Sequence, residues 1–133
     1  MKKEEHEKAL QEHLRNLSQA IDQGIEENQR NIGYNVSQGS IELFALYMHH
    51  LNLVEGSGDQ WDHRIFKSKN AVERKIPPKF PHREKILELM ELIEKERIPF
   101  CYGKRKPQVQ IEKIILIFQE LRKIIEPELQ HAH

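Results

Sequence analysis

The stretch SIELFALYMHHLNL, at residues 40–53, decides the fold of this chain. Its apolar residues recur at steps of three and four, the spacing that gathers side chains on one side of an α-helix. The stripe and the residues that widen it are Val36, Ile41, Leu43, Phe44, Ala45, Leu46, Tyr47, Met48 and Leu51. A helix that is apolar around much of its circumference must be covered by several neighbours. We therefore expect a helix over residues 35–54 at the centre of an α-helical fold.

Amphipathic segments precede and follow this central helix. The stripe before it consists of Leu10, Leu14, Leu17, Ile21 and Ile25. It predicts a helix over residues 4–29, which Asn28, Asn31 and Gly33 would break. The next apolar stripe predicts a third, shorter helix over roughly residues 60–74.

Prolines mark the remaining helix boundaries, because proline lacks an amide donor and restricts the residue before it. Pro77 and Pro78 end the third helix, Pro81 begins the fourth, Pro107 begins the fifth and Pro127 ends it. Between the last two helices, residues 97–106 read as a turn-rich link. Short links favour antiparallel neighbours. The sequence therefore predicts an all-α, antiparallel up-and-down helical bundle of four long helices plus one shorter helix. It forms a single domain over residues 1–133, frayed at 1–4 and 127–133.

Composition narrows the class of protein. The 133 residues include 21 basic and 21 acidic side chains, so the chain as a whole is directed toward neither nucleic acid nor a membrane surface. The N-terminus MKKEEHEKAL does not resemble a secretory signal, and no apolar run approaches the length of a membrane span. A single cysteine, Cys101, suits a reducing compartment. We expect a soluble, cytoplasmic protein without contact to a membrane.

Charge is not evenly distributed along the chain. Residues 63–85 hold two acids and eight cations, a net charge of +6 within a neutral protein. The candidate anion-binding residues in this basic segment are Arg64, Lys67, Lys69, Arg74, Lys75, Lys79 and Arg83, beside Lys85. Lys and Arg bind phosphates by charge and by releasing counterions, so this segment could hold RNA, DNA or a nucleotide.

Aromatic residues accompany the basic segment. Trp61, Phe66 and Phe80 could offer stacking surfaces to bases. The alternative is a solvated helix face whose aromatic residues belong to the core and whose cations pair with acids elsewhere. A second cluster at residues 104–106 could extend the basic surface, or could be a plain exposed turn.

The eight histidines do not have the spacing of a metal site. His49 and His50 are adjacent, so on a helix they point about 100 degrees apart. His63 and His82 have no cysteine or acid at a familiar ligand interval. The sequence therefore predicts no metal and no cofactor.

Motifs for nucleophilic or phosphate chemistry are missing: there is no phosphate-binding glycine loop, no GxSxG and no HExxH. Cys101 could be reactive beside Lys104 and Arg105, which would lower its pKa, or could be a small packed residue. Glu42 lies on the apolar central helix, where a buried carboxylate needs a partner. The alternatives are a carboxylate at the bundle edge or one paired with a Lys or Arg of a neighbouring helix.

The helix order and two stretches resemble the HEPN domain, whose name stands for higher eukaryotes and prokaryotes nucleotide-binding. The resemblance covers most of the chain: a long first helix, the stretch SIELFALYMHHLNL, a basic middle, and a late turn reading ERIPFCYGKR before the final helix. It implies a dimeric helical module. In many HEPN members it also implies a metal-independent ribonuclease that uses an Arg followed four to six residues later by a His.

The catalytic motif of that family is altered here. Arg97 lies about where the family's Arg would be, but five residues later the chain has Tyr102. The other Arg–His pair, Arg74 and His82, has seven intervening residues that include prolines. The resemblance therefore implies a module that binds a nucleotide or RNA, or pairs with another protein, without the usual Arg–His motif.

We therefore expect a non-catalytic, homodimeric HEPN-like module that binds RNA, a nucleotide or another protein. The dimer rests on the wide apolar face of the central helix, which a thin bundle would not cover within one chain. One alternative is an endoribonuclease using Arg97, with Tyr102 or His82 as acid–base; a tyrosine with its ordinary pKa near 10 is a poor base at neutral pH. The other alternative is a purely structural protein-interaction domain.

Overall fold

Four long helices and one short helix form the framework of the protein. The structure, a computed structural model, describes residues 2–54 and 61–130. In chain order, the elements are α1 (Lys3–Gln23), α2 (Gln29–His50), a 3-10 helix (His63–Lys67), α3 (Lys69–Lys75), α4 (Arg83–Tyr102) and α5 (Gln108–Leu129). These two ranges contain no strand, which confirms the predicted all-α fold. None of the described helices is long and apolar enough to cross a lipid bilayer.

Helix α2 lies at the centre, in contact with α1, α4 and α5. Val36, Phe44, Tyr47 and Met48 on this helix are fully buried. This confirms the expectation of a helix at the centre of the fold, covered by several neighbours. Because its neighbours cover it within one chain, however, α2 does not offer the apolar dimer seam that its sequence suggested.

Neighbouring long helices run antiparallel. His6 near the start of α1 lies 2.5 Å from Glu42 of α2, and His13 lies 2.9 Å from Asn35, earlier in α2. The other antiparallel pairs are marked by Ser37–Glu94 and Tyr47–Pro81 between α2 and the α4 region, and by Lys85–Glu120 between α4 and α5. These contacts give the up-and-down order expected of short links.

The junction of α1 and α2 differs from the prediction. Helix α1 ends at Gln23, and Gly24 follows with a φ of 129°, a conformation that favours glycine. Asn28 is the N-cap residue of α2, and Asn31 and Gly33 lie inside that helix. The expectation that these three residues break α1 is therefore wrong, because Gly24 ends it first.

Gly33 instead permits a close approach between α2 and α4. A Cβ atom at Gly33 would lie 2.6 Å from the Cβ of Phe100 on α4, too near for any larger residue. One turn further along α2, the same approach brings Ser37 against Glu94. The glycine thus positions the site described below.

The predicted third helix is two shorter elements. Residue 60 of the predicted span 60–74 lies outside the described residues; the rest divides into the 3-10 helix and α3. Ser68 separates them, and its hydroxyl accepts a hydrogen bond from the backbone N–H of Ala71 at 3.2 Å. A serine that satisfies a free amide in this way starts a new helix rather than continuing the old one.

Helix α4 begins later and ends later than predicted. It starts at Arg83, two residues after Pro81, and continues through Pro99 to Tyr102. The link before α5 is therefore residues 103–107 rather than 97–106. The extra turn is held from outside, since the side chain of Gln29 on α2 donates to the carbonyl of Phe100 at 3.2 Å.

The last helix confirms one predicted boundary and corrects another. Pro107 immediately precedes α5, as expected of a proline at a helix start. Pro127 lies within α5, which continues to Leu129, so this proline does not end the helix. At the two ends of the chain, where fraying was predicted, α1 is helical from Lys3; residues 1 and 131–133 lie outside the described part.

Candidate functional site

A buried carboxylate lies where α4 meets α2 and the 3-10 helix. Glu94 of α4 is fully buried, although it occupies the apolar stripe one turn after Met90. The Ser37 hydroxyl of α2 donates to its Oε1 at 2.8 Å. His63 Nδ1, from the 3-10 helix, lies 3.5 Å from its Oε2, and neither atom has a hydrogen-bond partner among the described residues. Three elements thus converge on one carboxyl group.

Arg97, one turn after Glu94, connects this group to the surface. Its Nη1 donates to the Ser37 hydroxyl at 2.7 Å, so Ser37 accepts from a cation while it donates to the carboxylate. The guanidinium also lies over the Tyr34 ring, 5.7 Å from its centroid. The Gln38 side chain, with its oxygen toward Arg97, accepts at 2.8 and 3.1 Å. We call this group the Arg97 cluster; its members are Tyr34, Ser37, Gln38, His63, Glu94 and Arg97.

The cluster is buried at one end and open at the other. Glu94 and Ser37 have no exposed surface, whereas the His63 side chain is 27% exposed and Tyr34 is 47% exposed. Arg97 lies between these extremes, half-buried. A ligand could therefore reach Arg97, His63 and Tyr34 but not Glu94.

The 3-10 helix sets the position of His63. Asp62 accepts a hydrogen bond from the backbone N–H of Arg64 at 2.8 Å and caps this short element, with His63 as its first residue. Lys67 at its other end is exposed. Its charge lowers the pKa of Glu94, which places it within electrostatic reach of the cluster. The cluster therefore combines an arginine and a histidine around a single carboxyl group, and the charge of Lys67 acts on that group from outside the cluster.

Burial changes the proton equilibria of the cluster. It raises the pKa of the Glu94 carboxyl to about 7, against the opposing effects of the Ser37 hydrogen bond, Arg97 and Lys67. The pKa of His63 is lowered, by burial first and by Arg97 second. Near neutral pH, the Glu94 carboxyl is therefore protonated in part of the molecules. His63 is mostly a neutral imidazole, the form that can accept a proton.

The three catalytic candidates from the sequence do not converge. Arg97 belongs to the cluster, but Tyr102 is 73% exposed at the far end of α4. His82 precedes the opposite end of α4, where its Nε2 lies 3.2 Å from Glu128. A helix of 20 residues separates the two, about 30 Å. His82 is therefore remote from Arg97, whereas Tyr102 follows Arg97 by five residues on the same helix.

Sequence reasoning missed Ser37 and Glu94 and considered His63 only as a metal ligand. A signal for the carboxylate was present, since Glu94 follows Met90 by four residues and so falls on the apolar stripe of its helix. Ser37 stands likewise four residues before Ile41 on the stripe of α2. A polar residue on an apolar stripe needs a partner, but the stripe does not tell which.

The aromatic residues of the basic segment belong to the core. Trp61 and Phe66 are buried, and both pack edge-on against Phe44 of α2. Phe80 is half-buried against Phe44 and Tyr47. The suggestion that Trp61 and Phe66 offer stacking surfaces to bases is therefore wrong.

The predicted anion-binding cations divide into two groups. Arg64 pairs with Asp62 at 3.2 Å, Arg83 donates to the carbonyl of Pro77 and to Glu84, and Arg105 donates to the carbonyl of Glu26. The remaining cations are exposed and make no ion pair within residues 2–54 and 61–130; they are Lys67, Lys69, Arg74, Lys75, Lys79 and Lys104. Of these six, only Lys67 lies in electrostatic reach of Glu94.

Two further candidates have structural explanations. Cys101 is buried, and burial raises the pKa of its thiol, so the suggestion of a reactive cysteine beside Lys104 and Arg105 is wrong. Glu42 has the partner that its position required, but this partner is His6 rather than a Lys or Arg. Among the described residues, no three His, Cys, Asp or Glu side chains are grouped as metal ligands would be.

Comparison with known proteins adds no relative. No protein-family model, no curated protein and no solved structure matches this chain.

Proposed function

We propose that this chain is an HEPN-like helical module that binds the phosphate of RNA or of a nucleotide at the Arg97 cluster. One observation carries the proposal: Arg97 is half-buried and held at Ser37 and over Tyr34, yet its edge stays open to solvent. An arginine fixed by its neighbours loses little freedom on binding, and its remaining N–H donors suit a phosphate. Exposed Lys67, at the end of the 3-10 helix that carries His63, adds a second positive charge that acts on Glu94.

The other exposed cations would contribute a weaker, general attraction. Lys69, Arg74 and Lys75 lie on or beside α3, next to the 3-10 helix that carries His63. Charges spread over a surface raise the rate of encounter with an anion and are screened by salt. We therefore assign affinity to the Arg97 cluster and salt-dependent steering to the cations of α3.

Binding to a fluorescent single-stranded RNA oligonucleotide, followed by anisotropy at low salt, tests this proposal. Arg97→Gln, which keeps a hydrogen-bond donor for Ser37, should weaken binding about tenfold or more. Arg15→Ala removes an exposed arginine of α1 and should leave the affinity within about twofold. Raising the salt concentration should weaken wild-type binding steadily. An Arg97→Gln protein that binds as tightly as wild type, or RNA that fails to bind at low salt, would contradict the proposal.

Cleavage of RNA is a second candidate, favoured by the placement of His63. A neutral imidazole in the same cluster as Arg97 could take the proton from a ribose 2′-hydroxyl as its oxygen attacks the adjacent phosphorus. The O2′–P bond would form, the P–O5′ bond would break, and Arg97 would stabilise the charge on the phosphoryl oxygens. The leaving O5′ would take a proton from the resulting imidazolium or from solvent, so the products would be a 2′,3′-cyclic phosphate and a 5′-hydroxyl.

His63→Gln tests this second candidate, with His82→Gln as the matched control. The first should abolish formation of the cyclic phosphate, and the second should leave its rate unchanged, because His82 lies at the other end of α4. RNA that stays intact at high protein concentration assigns the cluster to binding alone. A protein partner captured without any affinity for RNA would favour an interaction module instead.

A homodimer remains part of the proposal, on a different surface from the one expected. Helices α4 and α5 carry exposed apolar side chains, and the most exposed of them are Ile98, Tyr102, Val109 and Leu116. A second copy of the chain could cover them. Light scattering on wild type and on a Val109→Glu, Leu116→Glu variant tests this, with loss of the dimer expected in the variant; a wild-type monomer would end the dimer proposal.

A further inference from the structure

A groove lined by carboxamide side chains lies beside the Arg97 cluster. It runs between α1 and α2 and has a volume of about 310 Å³. Six of the residues that line it are Asn16, Gln19, Gln23, Asn31, Tyr34 and Asn35. Five of these six carry a side-chain amide, and no charged side chain lines the groove within the described residues. We call it the amide groove.

Helical spacing explains why the amides gather. Asn16, Gln19 and Gln23 follow one another at steps of three and four, so they share one side of α1. Asn31 and Asn35 are likewise four residues apart on the facing side of α2. The antiparallel pairing of the two helices then sets the two rows against each other.

Most of these amides are available to a ligand. Asn35 is committed to the fold, since its oxygen lies 2.9 Å from the His13 ring nitrogen and its nitrogen donates to the carbonyl of Asn31. The other four residues are exposed, and their side chains make no hydrogen bond to any of residues 2–54 or 61–130; they are Asn16, Gln19, Gln23 and Asn31. Each offers one acceptor and two donors.

Tyr34 joins the groove to the Arg97 cluster. Its ring lines the groove and also carries the guanidinium of Arg97, 5.7 Å from the ring centroid. The ring is 47% exposed, and His13 packs against it edge-on, with the two centroids 5.8 Å apart. A phosphate at Arg97 would therefore place the rest of its nucleoside next to Tyr34 and the mouth of the groove.

We propose that the amide groove is a nucleobase subsite, which takes the base belonging to the phosphate bound at Arg97. This inference rests on the proposed phosphate binding. Carboxamides present the donor and acceptor pattern that matches the edges of bases, and exposed aromatic rings stack on unpaired ones. Because no charged side chain among the described residues lines the groove, it suits a neutral base better than a second phosphate. The ligand is thus a nucleoside phosphate, either free or within single-stranded RNA.

Paired probes with and without a base test the subsite. The first pair is a short oligoadenylate and an abasic oligoribonucleotide of the same length and charge. The second pair is AMP and ribose 5-phosphate. For wild type, the base should improve affinity about tenfold in at least one pair. An effect in the second pair identifies a free nucleotide as sufficient, and an effect in the first pair alone identifies RNA.

Variants separate the subsite from the phosphate site. Gln19→Ala combined with Asn31→Ala should reduce the advantage of the base to within about twofold while leaving binding of the abasic probe unchanged. Arg97→Gln should weaken both probes of a pair. Gln11→Ala removes an exposed amide of α1 that does not line the groove; it is the matched control and should change neither.

The two proposals fail in distinguishable ways. If abasic and base-containing probes bind equally well to wild type, or if the Gln19, Asn31 double variant keeps the full advantage of the base, the subsite is wrong and phosphate binding stands. If no probe binds at low salt, the proposed function and the subsite are both overturned.

Discussion

Two carboxylate–histidine contacts in this protein differ in what surrounds them. His6 of α1 meets Glu42 of α2 at 2.5 Å, and His63 of the 3-10 helix meets Glu94 of α4 at 3.5 Å. Both bring a histidine from one element to a carboxylate on a long helix. The first contact is short, whereas the second is longer and its carboxylate is also bonded to Ser37.

The difference lies in how each carboxylate is satisfied. Glu42 forms a direct contact that ties α1 to α2. Glu94 has no exposed surface, and the Ser37 hydroxyl that donates to it accepts from Arg97. The buried carboxyl is thus connected through Ser37 to an arginine that is partly exposed. The first contact is a direct pair between two helices, whereas the network around Glu94 leaves Arg97 and His63 partly exposed.

The largest expected effect comes from removing each carboxylate in turn. At pH 6, Glu94→Ala should lower the free energy of unfolding by about 3 kcal/mol, because it leaves a cavity and deprives Ser37 of its acceptor. Glu42→Ala should cost about 1–2 kcal/mol, since its site is partly open to water. Urea denaturation measures both. A greater loss from Glu42→Ala would reverse the comparison.

The pH dependence of stability sharpens the account of Glu94. Its folded pKa of about 7 lies above the value of 4.5 for an unperturbed glutamate, so the folded state binds more protons between these values. The stabilisation is complete below about pH 4.5 and is lost as the pH rises through 7. Relative to Glu94→Gln, wild type should therefore lose about 2–3 kcal/mol between pH 5 and pH 8.

Neighbouring groups must be accounted for in that measurement. Glu94 is faced by Ser37 from α2, by His63 and Lys67 from the 3-10 helix, and by Arg97 from its own helix, and the charge of Asp62 also raises its pKa. His63 has the opposite sign, because its lowered pKa costs stability as the pH falls below about 6.5. The comparison is therefore made in a His63→Gln background, by urea denaturation at several pH values. A difference that stays constant with pH would contradict the assignment.

Replacing Ser37 should destabilise the fold less than replacing Glu94 does, but more than replacing the buried Ser40. Ser37→Ala removes two hydrogen bonds, to Glu94 and from Arg97, and should cost about 1–2 kcal/mol. Ser40→Ala is the matched control on the same helix, since that hydroxyl donates only to the carbonyl of Val36. It should cost less than about 0.5 kcal/mol. Thermal or urea unfolding measures both variants. If Ser37→Ala and Ser40→Ala lower the free energy of unfolding equally, Ser37 contributes no more than an ordinary buried serine.

Local pattern predicted the long helices because their stripes are strong, as in α2. It failed at the end of α4, where Pro99 and Gly103 read as a turn. There the extra helical turn is held by Gln29 and Arg30, which donate to the carbonyls of Phe100 and Cys101 from 71 residues away. Short windows of sequence cannot contain such contacts, so tertiary structure overrode the local signal.

The candidate site was predictable only in part, for the same reason. Arg97 was identified through the resemblance to the HEPN domain, but Ser37 and His63, which complete its surroundings, come from other elements. Ser37 and Glu94 are 57 residues apart, and Ser37 and Arg97 are 60 residues apart. Nothing in the sequence indicated that His63 lies next to Glu94, because the residues around a histidine do not predict which carboxylate of a distant helix it will approach.

The most direct test of phosphate binding at the Arg97 cluster compares the two histidines in one experiment. NMR spectra of the histidine side chains, assigned with His6→Gln and His63→Gln proteins, are recorded while single-stranded RNA is added at low salt. The resonances of His63 should shift and saturate with binding, and those of His6 should stay in place. Shifts at His6 without shifts at His63, or no shift at either at saturating RNA, would contradict the account.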